Sequence, residues 1–157
     1  MPAFTGLGSP HWDPYARGTI VGLTRGNGRA HLARAALESI AYQAVDAIRA
    51  VEEASGERLE ELKADGGASE NAWLMRFQAD MLGIPVVVPE ISETTALGAG
   101  YLAGVATGLW TEEDTRSMWK QAGSYEPTMS QDRRETLLAE WHEALDRARS
   151  NDRPRDG

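Results

Sequence analysis

The sequence predicts an α/β fold in which short strands alternate with amphipathic helices, and two patterns carry this prediction. Apolar residues recur at spacings of three and four over residues 31–54, which is the period of one buried helix face. Residues 86–88 form a continuous apolar run between Pro85 and Pro89, as in strands covered on both faces. Alternation of the two elements is typical of α/β proteins.

The amino-terminal segment, residues 1–17, is rich in glycine, proline and aromatic side chains. Phe4, Trp12 and Tyr15 carry large apolar surfaces that favour burial against other structure, although a packed terminal loop has the same composition. Residues 19–24 are β-branched and predict a strand, which a glycine-rich turn around Asn27 closes.

The first helix is predicted over residues 31–54, with Gly56 as its stop signal. His31 at its start is interpreted as a turn or cap residue, because no second histidine lies at metal-ligand spacing. Asp46 is assigned to the wet, charged face. The predicted buried face consists of Ala33, Leu37, Ile40, Ala44, Ile48 and Val51.

The stretch from Leu62 to Asn71 predicts a strand, a tight Gly66-Gly67 turn and the start of a second helix. Glycine lacks a Cβ, so such a turn lets a flat ligand approach the main chain closely. Asn71 offers an amide suited to the edge of a purine ring. The same pattern also occurs as a ligand-free turn with an Asn cap, and the residues by themselves leave both interpretations open.

Helical patterns continue to the end of the chain. The second helix is predicted to end at Gly83, and a third, rich in small residues, runs over residues 94–107 behind hydroxyl caps. Thr111 to Asp114 resembles a capping box for a fourth helix, and apolar spacing over residues 137–148 predicts a fifth. We expect one domain over residues 1–149 and a disordered polar tail over residues 150–157.

Composition excludes several classes of function. The net charge of −8 and the pI near 4.9 argue against binding to nucleic acid or to anionic membranes. The chain has no cysteine, which excludes disulfides and thiolate chemistry. No signal peptide and no apolar run of about 20 residues is found, so a soluble protein is expected.

Two motifs suggest sites that their context does not support. Residues 98–103 match the letters of a dinucleotide-binding loop, but they do not follow a strand directly. The three histidines, His11, His31 and His142, are scattered and have no carboxylate at metal spacing. We therefore expect no metal site built by this chain alone.

Four stretches in order resemble the carboxyl-terminal part of the FGGY family of carbohydrate kinases, especially the members that phosphorylate glycerol. Residues 2–18 are similar to the aromatic loop of those members, and residues 18–38 to the second signature of the family. Residues 65–71 look like the adenosine-binding turn, and residues 93–99 like the helix at the domain connection. The resemblance extends from residue 2 to about residue 110.

The resemblance implies part of an actin-like, ribonuclease-H-like ATPase domain with a helical carboxyl-terminal tail. It implies that Gly67, Ala68 and Asn71 contact the adenosine of ATP, with Mg²⁺ expected in the intact enzyme. No catalytic residue and no metal ligand is assigned here, because the family's substrate pocket, general base and phosphate loops lie upstream of the matching region. The isolated chain is therefore expected to be inactive.

The resemblance leaves alternatives open. The leading hypothesis is the ATP-binding portion of a cytoplasmic glycerol-phosphorylating enzyme, homo-oligomeric when intact, whose glycerol binds only with the upstream domain. The runners-up are another sugar kinase of the family, similar to the xylulose kinases, and a non-catalytic nucleotide-binding or interaction fragment.

Overall fold

The computed structural model describes residues 1–150, and over this range the predicted α/β alternation is present. The helices are α1 Arg29–Ser55, α2 Ala72–Leu82, α3 Thr94–Ala106, α4 Glu112–Ser117 and α5 Gln131–Ala148. The strands are β1 Leu62–Lys63, β2 Val86–Pro89 and β3 Gln121–Tyr125, and a 3₁₀ turn covers Gly67–Glu70. Apart from Ser150, the tail predicted over residues 150–157 lies outside the described residues.

All five predicted helices are confirmed, and their ends follow local rules. Gly56 and Gly83 end α1 and α2 in the left-handed region, with φ of 73° and 75°, where glycine has no steric penalty. His31 accepts a hydrogen bond at Nδ1 from the Gly28 backbone N–H (3.0 Å), as expected for a cap. The capping box predicted at Thr111 and Asp114 is also confirmed.

The chain divides into two compact units, Leu59–Thr128 and a unit formed by Met1–Arg58 with the segment that begins at Met129. The first contains the sheet, in the order β1-β2-β3. β1 and β2 are parallel, with Leu62 opposite Val86, whereas β2 and β3 are antiparallel. β3 was not predicted, because its sequence, Gln-Ala-Gly-Ser-Tyr, lacks the apolar pattern of a strand and it depends on pairing with β2.

The buried face of α1 was predicted wrongly. Ile40 and Val51 are 44% and 65% exposed, whereas Tyr42 and Asp46 are buried. The reason is α5, whose Trp141 stacks on Tyr42 with ring centroids 5.2 Å apart. Helix periodicity predicts that one face is apolar, but the position of the neighbouring helix decides which face is covered.

Asp46 was predicted to lie on the solvated face of α1 and is instead the polar centre of the contact with α5. Its Oδ2 accepts from Trp141 Nε1 (2.8 Å), and its Oδ1 lies 2.8 Å from His142 Nε2. His11 Nε2 is 3.6 Å from Oδ2. A carboxylate buried in this way is tolerated because these groups compensate for its lost hydration.

The strand predicted over residues 19–24 is wrong. Only Thr19 makes a strand-like contact, through reciprocal bonds of 2.9 Å between its backbone and that of Met1. Ile20 and Leu23 are 66% and 59% exposed. β-branched residues form a strand only where a neighbouring strand supplies hydrogen bonds to the backbone. Within residues 1–150, no strand pairs with residues 19–24.

The amino-terminal segment is ordered by Asp13. Its carboxylate accepts from the backbone N–H groups of Tyr15 and Ala16 and from both the N–H and the hydroxyl of Ser150. The Ser150 hydroxyl is the main cause of a lowered pKa at Asp13. Phe4 and Trp12 are 87% and 76% exposed. None of the described residues of this unit covers these two side chains, although their large apolar surfaces favour burial.

Helix α3 differs from the expectation at its start. No side chain caps its first turn, and its N-cap is Glu93 instead of a threonine hydroxyl. Near the end of the helix, Gly104 lies directly beneath the ring of Trp110, and its missing side chain is what allows this close approach. Among residues 1–150, no helix is long and apolar enough to cross a membrane.

We predict that Tyr42 makes the unit containing α1 and α5 sensitive to alkali. Burial, with the nearby charges of Glu38 and Glu140, raises the pKa of Tyr42 from 10.0 to about 12. The phenol is favoured in the folded state, so the stability that it contributes is complete below pH 10 and is lost as pH rises towards 12. Urea unfolding of the wild type and Tyr42→Phe at pH 8 to 12 measures this. The wild type is expected to lose more stability than the variant over that range, and parallel losses would contradict the prediction.

Candidate functional site

The candidate site begins at the end of β1, where the chain turns at Gly66. This residue has φ of 77° and ψ of 173°, a combination that is essentially restricted to glycine. Its N–H donates to the carbonyl of Ser92 (2.8 Å), which follows β2. The carboxyl ends of two parallel strands meet at one edge of the sheet, so the loops after β1 and β2 are held together there.

Two side chains hold the turn in place, one buried and one exposed. Ser69 is buried, and both its backbone N–H and its hydroxyl donate to the carbonyl of Gly66, at 2.9 and 2.7 Å. Glu70 accepts from the hydroxyl of Ser92 (3.1 Å). Sequence reasoning did not assign Ser92, and the available signal was its position just after the second parallel strand.

Gly67 and Ala68 lie on the exposed side of the same turn. A Cβ added at Gly67 would meet nothing within 4 Å, so the backbone there borders open space. Gly67 begins the 3₁₀ turn, and only Gly66 of the pair requires a left-handed conformation. The second glycine is therefore not needed for backbone geometry, and its distinctive property is the space that it leaves.

Asn71 is the N-cap of α2, which is the ligand-free role that the sequence left open. Its side-chain oxygen accepts from the N–H groups of Trp73 and Leu74, both at 3.1 Å. The residue is exposed and follows Gly67 and Ala68 within one turn of chain. The three predicted nucleotide contacts, Gly67, Ala68 and Asn71, are thus all exposed in the turn between β1 and α2, where the Asn71 N–H donates to the carbonyl of Ala68 (3.2 Å).

The other motifs do not add to this site. Gly98 and Gly100 lie inside α3, so the residues that match a dinucleotide-binding loop do not form a turn after a strand. Within the described residues, no group of three His, Asp or Glu side chains is arranged to hold a metal ion. The site therefore offers backbone groups, open space and an amide, which suit a planar polar ligand.

Sequence comparison with protein families gives a match to the FGGY family of carbohydrate kinases, C-terminal domain, over residues 1–107. The chain is 54% identical over 149 residues to a glycerol kinase of Dechloromonas aromatica and 56% identical over 151 residues to one of Nitratidesulfovibrio vulgaris. These alignments cover 94% and 96% of the chain but only 30% of each relative.

A solved structure gives the same relationship in three dimensions. The crystal structure of Plasmodium falciparum glycerol kinase with ADP matches 94% of this chain, with a TM-score of 0.80 and 33% sequence identity. The match again covers 30% of the longer protein. The chain therefore spans about a third of the length of the proteins that it resembles.

Proposed function

This chain belongs to the FGGY family of carbohydrate kinases, and from that premise we propose that it is the adenine-nucleotide-binding part of a glycerol kinase. Its fold is part of the actin-like ATPase fold of that family, as expected. In the intact enzyme, ATP and glycerol are converted to ADP and glycerol 3-phosphate. The similarity to glycerol kinases at 54–56% identity favours this substrate over the xylulose-type alternative.

The observation that carries the proposal is a turn in which Gly67 borders open space and Asn71, four residues later, has an exposed amide. A purine is flat and has polar atoms around its edge, so it can lie against backbone that has no side chain and receive a hydrogen bond from an amide. Gly67, Ala68 and Asn71 are accordingly assigned to the adenosine of ATP. The relative crystallised with ADP supports a nucleotide as ligand.

The chemistry of phosphoryl transfer limits what this part contributes. Transfer depends on positioning and on neutralising the charge of the transferring group, usually with Mg²⁺. The described residues contain no cluster fitted to a metal, so Mg²⁺ would be held by the phosphates and by other parts of the enzyme. The role of this chain is to bind and orient the nucleoside.

Assembly and location complete the proposal. Phe4, Trp12 and Tyr15 are 87%, 76% and 62% exposed, and such apolar surface favours association with further protein. We propose that the intact enzyme is a homo-oligomer and that the isolated chain self-associates. The acidic charge argues against nucleic-acid and membrane partners, and a cytoplasmic location is consistent with the use of ATP.

We expect the purified 157-residue chain to bind ADP but to release no ADP from ATP in a glycerol-dependent manner. Binding the adenosine end of ATP does not lower the energy barrier to transfer of the γ-phosphate at the other end. Isothermal titration with ADP, a coupled assay for ADP release and light scattering on one sample measure binding, turnover and association. Glycerol-dependent turnover by a monomer, or failure to bind ADP, would overturn the proposal.

The substrate is tested on a longer protein. Any in-frame coding sequence upstream of Met1 can be expressed together with this chain, and the product assayed with glycerol, xylulose and gluconate. Turnover with glycerol well above that with the two sugars supports the proposal. Higher turnover with xylulose or gluconate than with glycerol would instead support the alternative that the chain is part of another sugar kinase of the family.

A further inference from the structure

Asn71 has a fixed hydrogen-bonding capacity because it caps α2. An amide side chain has an oxygen with two lone pairs and a nitrogen with two hydrogens. The oxygen of Asn71 already accepts two backbone hydrogen bonds, from Trp73 and Leu74, at 3.1 Å each. The reverse orientation of the amide would place its NH₂ group against two N–H donors, so the cap determines which atom is the oxygen.

The nitrogen of the same amide remains available. Within residues 1–150, Asn71 Nδ2 forms no hydrogen bond, and the residue is exposed. Its neighbours Gly67 and Ala68 border the open space of the candidate site. A ligand that contacts the exposed amide of Asn71 therefore meets its donor, whereas the acceptor is occupied by the helix.

We propose that Asn71 recognises the nucleotide only as a hydrogen-bond donor, so that it binds an acceptor atom of the nucleoside and does not read the 6-amino group of adenine. This inference rests on the proposed function, because it assumes that a nucleoside occupies the site. The acceptors open to it are the unprotonated ring nitrogens and the ribose oxygens. The 6-amino group, which is a donor, is excluded.

The inference has a consequence for base selection. The N7 acceptor is common to adenine and guanine, whereas the 6-position is a donor in one and an acceptor in the other. A contact from Asn71 to N7, to N3 or to the ribose cannot distinguish these two bases. Unless the contact is to N1, which is an acceptor in adenine and a donor in guanine, any preference of this part of the enzyme for adenine must then come from a different group.

The decisive variant is Asn71→Asp, which separates the two roles of the residue. Aspartate caps a helix as well as asparagine does but has no N–H to donate. We expect the melting temperature of the 157-residue chain to stay near that of the wild type and the affinity for adenosine to fall about three- to tenfold. Adenosine is used because it has no phosphate for the new carboxylate to repel. Asn71→Ala, which removes cap and donor together, is the comparison and should lower both quantities.

Nucleoside analogues then identify the atom. Purine riboside, which lacks the 6-amino group, should bind more weakly than adenosine by the same factor in the wild type and in Asn71→Ala, which has no side-chain oxygen. The 1-, 3- and 7-deazaadenosines and the deoxyadenosines each lack one acceptor of adenosine. One of them should bind the wild type more weakly than adenosine does, but should bind Asn71→Asp as well as adenosine does.

Two results would overturn the inference while leaving the proposed function intact. The first is unchanged adenosine affinity in Asn71→Asp. The second is a penalty for losing the 6-amino group that appears in the wild type and vanishes in Asn71→Ala, since the side-chain oxygen would then be the contact. A wild-type chain that binds neither adenosine nor ADP would instead overturn the proposed function itself.

Discussion

Replacement of Gly67 by valine is expected to lower the affinity of the chain for ADP by about tenfold or more without changing its fold. The backbone at Gly67 borders open space, in which a Cβ would meet no atom of the chain within 4 Å. The branched side chain would therefore occupy the volume that we assign to the purine. Isothermal titration with ADP measures the affinity, and thermal unfolding measures the fold.

Two control variants accompany this prediction, one with a smaller side chain at Gly67 and one with valine at a distant exposed position. Gly67→Ala should have an intermediate effect, because a methyl group fills less of the space. Ala139→Val on the exposed side of α5 should leave the ADP affinity unchanged and lower the stability only by the roughly 0.5 kcal/mol difference in helix propensity. Equal ADP affinity in the wild type and Gly67→Val would show that no nucleotide approaches this turn, and the site assignment would fail.

A second large effect is expected at Gly104 in α3. A Cβ there would overlap the six-membered ring of Trp110, lying only 2.6 Å from Cζ3. Trp110 would have to leave its edge-on contact with Tyr101, in which the ring centroids are 5.8 Å apart. We expect Gly104→Ala to destabilise the unit Leu59–Thr128 by about 1–3 kcal/mol, as overpacking does elsewhere.

The matched control lies on the same helix. Gly100 is also within α3, but a Cβ there meets nothing within 4 Å. Gly100→Ala should therefore stabilise the chain by roughly 0.5–1 kcal/mol through helix propensity alone. Urea unfolding of both variants measures the two effects. Stabilisation by both alanines would show that the ring of Trp110 is free to move away from α3.

The secondary structure was largely predictable because local signals encode it. Glycines end α1 and α2, a Thr–Asp capping box starts α4, and an apolar run between two prolines becomes β2. These signals act within one or two turns of chain, so they can be read without knowledge of the fold. The assignment of Gly67, Ala68 and Asn71 to adenosine came from family resemblance and stays a prediction.

What the sequence by itself determined is therefore the order of the helices and of β1 and β2, the family and the turn that forms the candidate site. The tertiary structure alone decided which face of α1 is buried, whether residues 19–24 pair and whether β3 forms. It also decided which atoms of Asn71 remain available. Each of these depends on a partner distant in sequence, such as α5 for Tyr42 and Asp46 or β2 for β3. Burial and strand pairing are interactions between segments, so no local pattern contains them.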